Sequence, residues 1–213
     1  MEVAVSQLKK HKQTVCGDSV EWSPGPPTIV VMADGLGNGT RAHHFSSVTA
    51  RTASTLLASD MPIEMVIDRT MAALTEHQDR QLAYSTFTML KITADNNVHL
   101  IEFDNPLAFH VRGTELLSVS RHKRTFSGCS VFESRFCVQD EDWIVMLSDG
   151  VLDAGIGSIL NFGWSWERVG DYLKQVAHHE NNAEALAAKI CQATLDAYCG
   201  KPGDDATVVA VRV

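Results

Sequence analysis

Val30-Val31-Met32-Ala33-Asp34-Gly35-Leu36-Gly37-Asn38-Gly39-Thr40 poses the question on which the reading of this chain turns. The apolar run from Ile29 to Ala33 has the make-up of a strand buried on both faces, yet it stops at a carboxylate. Glycines at 35, 37 and 39 then strip the side chains from the following turn. A charge at the end of a buried strand is costly unless something compensates it. The same signature returns downstream. A second intense apolar strand, Trp143 to Leu147, leads into Ser148-Asp149-Gly150, and Gly203-Asp204-Asp205 stands directly before the apolar strand from Ala206 to Val213. Gly17-Asp18-Ser19 is a fourth case, following the first strand.

Outward from these points the periodicities alternate. Glu2 to Leu8 reads as a strand, and Ser23-Pro24-Gly25-Pro26-Pro27 is a turn before the strand that opens at Thr28. Apolar residues at helical intervals predict a helix over Gly39 to Ser59, and a second from Pro62 with Ile63, Val66, Ile67, Thr70, Met71 and Leu74 on one stripe. Short β-rich segments follow at Ser85 to Thr93, Asn97 to Phe103, Leu107 to Arg112, Glu115 to Val119 and Phe136 to Gln139. Two more helices are expected over Ser165 to His178 and Asn182 to Tyr198. The burial solution for this order is α+β: two packed sheets, mainly antiparallel, with helix pairs on their outer faces. No composition shift divides the chain, so residues 1–213 are expected to form one domain.

The totals narrow the function. A hydrophobic fraction of 45% and a charged fraction of 21% are those of an ordinary globular domain. A formal net charge of -8 argues against a nucleic-acid partner. No apolar run approaches the roughly 20 residues that span a bilayer, and Met1-Glu2-Val3 opens no signal peptide, so the cytosol is the expected compartment. Cys16, Cys129, Cys137, Cys191 and Cys199 are odd in number and widely spaced, which predicts buried free thiols.

An Asp-Gly pair alone is a common turn. Its repetition at the ends of strong strands carries more weight, because strands hold side chains rigidly. Two converging carboxylates at ~4 Å repel by on the order of 4 kcal/mol at an effective dielectric of about 20. Protonation or a divalent cation relieves that repulsion, and an all-oxygen donor set favours Mg²⁺ or Mn²⁺ over zinc. A phosphate loop is disfavoured, since Gly39 is followed by Thr40-Arg41 rather than Lys and Ser or Thr, and a dinucleotide loop would need Gly at 40.

With these motifs the sequence resembles the metal-dependent serine/threonine phosphatases of the protein phosphatase 2C (PPM) superfamily. It is most similar to the bacterial branch typified by the sporulation stage II E phosphatase, and to its short, stressosome-feedback-like members. Cys16-Gly17-Asp18-Ser19, Ala33-Asp34-Gly35-Leu36-Gly37-Asn38-Gly39, Leu147-Ser148-Asp149-Gly150 and Asp204-Asp205-Ala206-Thr207 carry the resemblance in the family's order, with weaker echoes at Ser85-Thr86 and Asn105-Pro106. The resemblance implies a four-layer α-β-β-α sandwich with two Mn²⁺ or Mg²⁺ ions. It implies that Asp34 bridges both ions, that Gly35 lends its carbonyl, that Asp149 and Asp204 bind the other ion, and that Asp18 stands close by. Asp153 matches a weaker third position, and Asp205 is the reserve for Asp204. The implied chemistry is hydrolysis of phosphoserine or phosphothreonine by a metal-activated water attacking phosphorus in line. The implied substrate is a phosphorylated regulatory protein of the anti-sigma-antagonist fold, in a stress-response or partner-switching pathway.

Departures from the family pattern are Asp104 before Asn105, where the branch usually has Gly, and Tyr84 and Phe87 around Ser85-Thr86. The arginine that binds phosphate in many eukaryotic relatives has no counterpart; Lys9, Lys10 and Lys12 lie near its place. Two other functions remain open: a pseudophosphatase binding module, and a hydrolase of nucleotides or other small phosphoesters. Adjacent His43-His44 and His178-His179 point about 100° apart on a helix and are not expected to chelate as pairs. Arg121-His122-Lys123-Arg124 reads as a solvated loop, and Trp143, Trp164 and Trp166 as packing.

Overall fold

In the computed structural model, which describes residues 1–76, 83–126, 128–157 and 160–213, the apolar segments pair as strands and the periodic ones form helices. In chain order these are β1 (Glu2–Leu8), β2 (Asp18–Ser23), β3 (Thr28–Gly35), α1 (Gly39–Ala58), α2 (Ile63–Glu76), β4 (Ser85–Ile92) and β5 (Asn97–Phe103). There follow β6 (Phe109–Arg112), β7 (Glu115–Leu117), β8 (His122–Phe126), β9 (Cys129–Cys137), β10 (Trp143–Leu147), α3 (Asp149–Leu152), α4 (Trp166–Val176), α5 (Ala183–Ala197) and β11 (Ala206–Arg212). The chain divides into two compact units.

The first unit comprises Met1–Cys16, Pro106–Val119 and Val138–Val213. Its sheet is antiparallel with the order β1-β11-β10-β6-β7. Alternation along the strands decides what packs where. Trp143, Val145 and Leu147 of β10 and Ala206, Val208 and Ala210 of β11 face α4 and α5, meeting Val169, Leu173, Leu186 and Ile190. Trp164 and Trp166 join this core, and the Trp166 indole N–H donates to Leu107 O at 2.8 Å. The packing role expected of the tryptophans therefore holds. Asn182 caps α5 by accepting the Ala185 N–H at 2.8 Å.

The second unit comprises Gly17–Asn105 and Ser120–Cys137, with an antiparallel sheet ordered β2-β3-β4-β5-β9-β8. Ile29, Val31 and Ala33 turn one face of β3 toward α1 and α2, where Ala50, Ala53, Leu57, Val66 and Ile67 complete the core. Val30 and Met32 on the other face are equally buried, as the unbroken apolar run predicts. Each such side chain contributes ~1.5–3 kcal/mol on burial.

Several local expectations need correction. Asp18 opens a strand of its own, β2, which runs from a charge through Trp22 and lacks a long apolar run. Arg121 to Arg124 is no loop: His122–Phe126 is the edge strand β8, and β9 begins at Cys129 rather than Phe136. The arginines are accommodated there because two buried carboxylates receive them. Arg121 Nε donates to Glu102 at 2.9 Å and Arg124 Nη1 to Glu133 at 2.9 Å. Of the five thiols only Cys191 is buried, while Cys137 and Cys199 are exposed. His178 and His179 lie in a 3-10 turn after α4 rather than on an α-helix, with ring centroids 3.7 Å apart. No described helix is long and apolar enough to cross a membrane.

Candidate metal centre

The carboxylate that ends the opening stretch has a counterpart directly across the ladder. β2 and β3 pair antiparallel with Asp18 opposite Asp34 and Ser19 opposite Ala33. Since Ala33 faces the helices, both aspartates stand on the sheet face away from α1 and α2. Directly opposed like charges destabilise a sheet. Asp18 is nevertheless only 2% exposed. The surroundings hold the pair in place through its backbone. Ser85 Oγ donates to Asp34 O at 2.8 Å, and the next residue along, Ser19, meets Ser46 Oγ at 2.7 Å and Ser47 Oγ at 2.9 Å. Ser46 Oγ donates in turn to Gly17 O at 2.6 Å. His43 joins this cluster through Ser19 at 3.4 Å.

The three glycines after Asp34 now have separate reasons. A Cβ on Gly35 would lie 1.9 Å from Ala42 O, so the close approach of α1 demands glycine there. Gly37 and Gly39 have φ of 102° and 66°, a region that side chains disfavour. Leu36 N–H donates to Tyr84 O at 3.0 Å and fixes the loop to the residue just before β4.

In the first unit the second Asp-Gly motif closes on the third acidic motif. Asp149 opens α3, and Ser148 is locked to β11 because its Oγ accepts the Thr207 N–H at 2.8 Å. A Cβ on Gly150 would meet Asp205 O at 2.0 Å, so this glycine too is required by a backbone neighbour. Tyr198 O–H donates to Gly150 O at 2.7 Å. Burial holds that phenol far above its ordinary pKa, and the charges of Asp204, Asp153 and Asp149 add to the effect. The Asp153 carboxyl is likewise pushed up, first by burial and then by Asp204. Asp153 is thus near enough to Asp204 to feel its charge, and Asp149, Asp153 and Asp204 all lie near enough to Tyr198 to act on it.

Asp204 and Asp205 are sorted by their surroundings. Asp205 is buried and its Oδ1 accepts the Lys10 N–H at 2.8 Å. Asp204 is half-exposed, takes the N–H of Asp205 at 3.0 Å, and pairs with Lys10 Nζ at 3.4 Å. Among the described residues, no group of three or more His, Cys, Asp or Glu side chains is gathered as a ready-made metal cage. The donor chemistry nonetheless suits a hard divalent ion: carboxylates at rigid strand ends, next to glycines and without a thiol or imidazole in the set. Tyr198 was not legible as part of this arrangement; Lys10, Ser85 and Ser148 were noted in the sequence, but their partners were not, because those contacts join segments distant along the chain.

Residues 24–213 match the family model for stage II sporulation protein E (SpoIIE). The chain belongs to the SpoIIE family. It is 24% identical over 221 residues to stage II sporulation protein E of Priestia megaterium, covering 100% of this chain and 36% of that protein. The chain therefore spans about a third of that relative's length. Among solved structures it is similar to the SpoIIE phosphatase domain of Bacillus subtilis, with a TM-score of 0.73 at 20% identity, covering 99% of this chain and 91% of that one. It is also similar to RsbX, solved in complex with magnesium, with a TM-score of 0.66 at 16% identity and coverages of 98% and 92%. The SpoIIE-type member described here accordingly has the α+β fold of PP2C (PPM) phosphatase domains, with its two antiparallel sheets and attendant helices.

Proposed function

We propose that this SpoIIE-type chain is a protein phosphatase that removes phosphate from phosphoserine or phosphothreonine on a regulatory protein, using Mn²⁺ or Mg²⁺. Family membership supports the reaction class. The observation that carries the reading is the pairing of Asp18 directly opposite Asp34, at the end of a strand whose apolar residues give no reason for two carboxylates. A divalent ion is the compensation such a pair calls for, and the magnesium held by RsbX is in keeping with the type of ion. In this reading Asp18, Asp34, the Gly35 carbonyl, Asp149, Asp153 and Asp204 are metal ligands, and residues 1–213 are one catalytic domain. Two ions are proposed.

When bound, such ions supply Lewis acidity and a water acidic enough to furnish hydroxide near neutral pH. The chain's own contribution is to hold the donors still. Ser85 anchors the Asp34 backbone, Ser148 anchors the start of α3, and Tyr198, kept protonated, fixes the Gly150 carbonyl. Phosphorylated proteins of the anti-sigma-antagonist fold, in a partner-switching stress pathway of the cytosol, are the proposed substrates by resemblance to the family's short members.

The test is phosphate release from a phosphoserine protein with Mn²⁺ and then with EDTA, alongside nucleotides as competing substrates. Turnover should need the ion and prefer the phosphoprotein. Asp34→Asn and Asp149→Asn should each lower it by more than about a hundredfold, beyond the effect of losing a supporting hydrogen bond. Their circular dichroism should stay that of the folded chain. Undiminished turnover in either variant, or in metal-stripped protein, would refute the reading.

A further inference from the structure

Lys10 stands against Asp204 in the acidic turn before β11, and its placement is built into the fold. β1 pairs with β11 as far as Leu8 opposite Ala206. Beyond that point the chain stays stitched to the acidic turn: Lys10 N–H donates to Asp205 Oδ1 at 2.8 Å, and His11 N–H to Pro202 O at 2.8 Å. The backbone of Lys10 is thereby held whatever its side chain does. The side chain reaches Asp204, with Nζ 3.4 Å from Oδ1, and both groups are partly open to solvent, at 33% and 47% exposure.

An ion pair this open adds little to folding, because solvent screens it. Its consequence lies in what else Asp204 can hold. The oxygen that faces the ammonium also takes the Asp205 N–H, so a divalent cation on this carboxylate, at either oxygen, would lie beside the ammonium. The repulsion between ammonium and divalent ion is twice that between two single charges at the same distance. Both cations draw on one carboxylate, so the ammonium is driven back from Asp204 as the ion binds.

We propose that Lys10 is a built-in counter-ion of Asp204 which a divalent cation has to displace, so that this lysine sets how tightly the chain takes its metal. The proposal rests on the reading of Asp204 as a ligand. Lys10 acts through Asp204 and is a positioning residue. Exchange of a lysine for the metal also makes uptake dependent on ionic strength, since salt weakens the competing pair.

Calorimetric titration of the apo chain with Mn²⁺ alone tests this on the unsubstituted protein, Lys10→Met and Lys10→Arg. Lys10→Met should bind about three- to fivefold more tightly, the scale of an exposed ion pair. Lys10→Arg, which keeps the charge, should bind like the original, and the gain in Lys10→Met should shrink as KCl is raised. Thermal melts without metal establish that each variant is folded, and Mn²⁺ should raise the melting temperature of Lys10→Met more than that of the original. Equal or weaker Mn²⁺ binding by Lys10→Met overturns the role of the lysine alone. Failure of the unsubstituted chain to bind Mn²⁺ overturns this proposal and the metal reading together.

Discussion

At the scale of single residues, two of the departures from the family pattern, Tyr84 and Asp104, turn out to face each other. Asp104 takes a φ of 49°, a left-handed conformation in which glycine is at ease, and that accounts for the Gly usual in the branch. The Tyr84 hydroxyl donates to the Asp104 carboxylate. Burial holds the phenol above its ordinary pKa, and the hydrogen bond and charge of Asp104 raise it further, so it remains the donor. Tyr84 and Asp104 thus look like one compensated change. Tyr84→Phe should cost about 1–2 kcal/mol in the natural background and close to nothing once Asp104→Gly is present. Urea unfolding of the four chains in this double-mutant cycle measures the coupling. Equal costs in both backgrounds would mean that the hydroxyl and the carboxylate do not act together.

At the scale of elements, the join between β6 and β10 depends on one buried carboxylate. Asp142 lies just before β10 and accepts from His110 Nε2 at 2.8 Å and from Arg112 Nε and Nη2, both at 2.7 Å. The Gln139 N–H adds a bond at 2.9 Å. Burial alone would push the Asp142 pKa up, but the Arg112 and His110 hydrogen bonds outweigh it and hold the group below the usual carboxylate value. A depressed folded value means that the stabilisation is fully present above the unfolded pKa of about 3.9 and is lost as pH falls through the folded one. Asp142→Asn should therefore cost about 3 kcal/mol at neutral pH, since it leaves buried partners uncompensated. The gap from the original chain should narrow below about pH 4. Urea melts at pH 7 and pH 3.5 check both statements, and a gap that does not change with pH would contradict the second. β8 teaches a related lesson. Its charged residues suit a sheet edge, where lysine discourages pairing with another chain.

At the scale of the whole molecule, the path of the chain sets the expectation. It leaves one unit for the other after Cys16, Asn105, Val119 and Cys137, so neither unit is a single stretch that could be cut away. If residues 1–213 work as one domain, both units should unfold together. In a Trp22→Phe chain every remaining tryptophan, at 143, 164 and 166, belongs to the first unit, whereas circular dichroism reports on both. The two signals should give coincident midpoints in urea. Separated midpoints would make the units independent. What the sequence determined by itself was what is local: the buried run of β3, the helical stripes of α1, α2, α4 and α5, and the recurrence of Asp-Gly after strong strands. Periodicity and residue type carry these without reference to distant neighbours. β2 and β8 were not legible, since edge strands need no apolar alternation and borrow their order from a partner, and the early start of β9 is set by its pairing with β8. The opposition of Asp18 and Asp34, the glycines pressed against Ala42 and Asp205, and the pairing of Lys10 with Asp204 across 194 positions were decided only by the tertiary structure. Each depends on strand register or on a backbone-to-backbone approach, and both arise from the packing of segments that no window of sequence contains together.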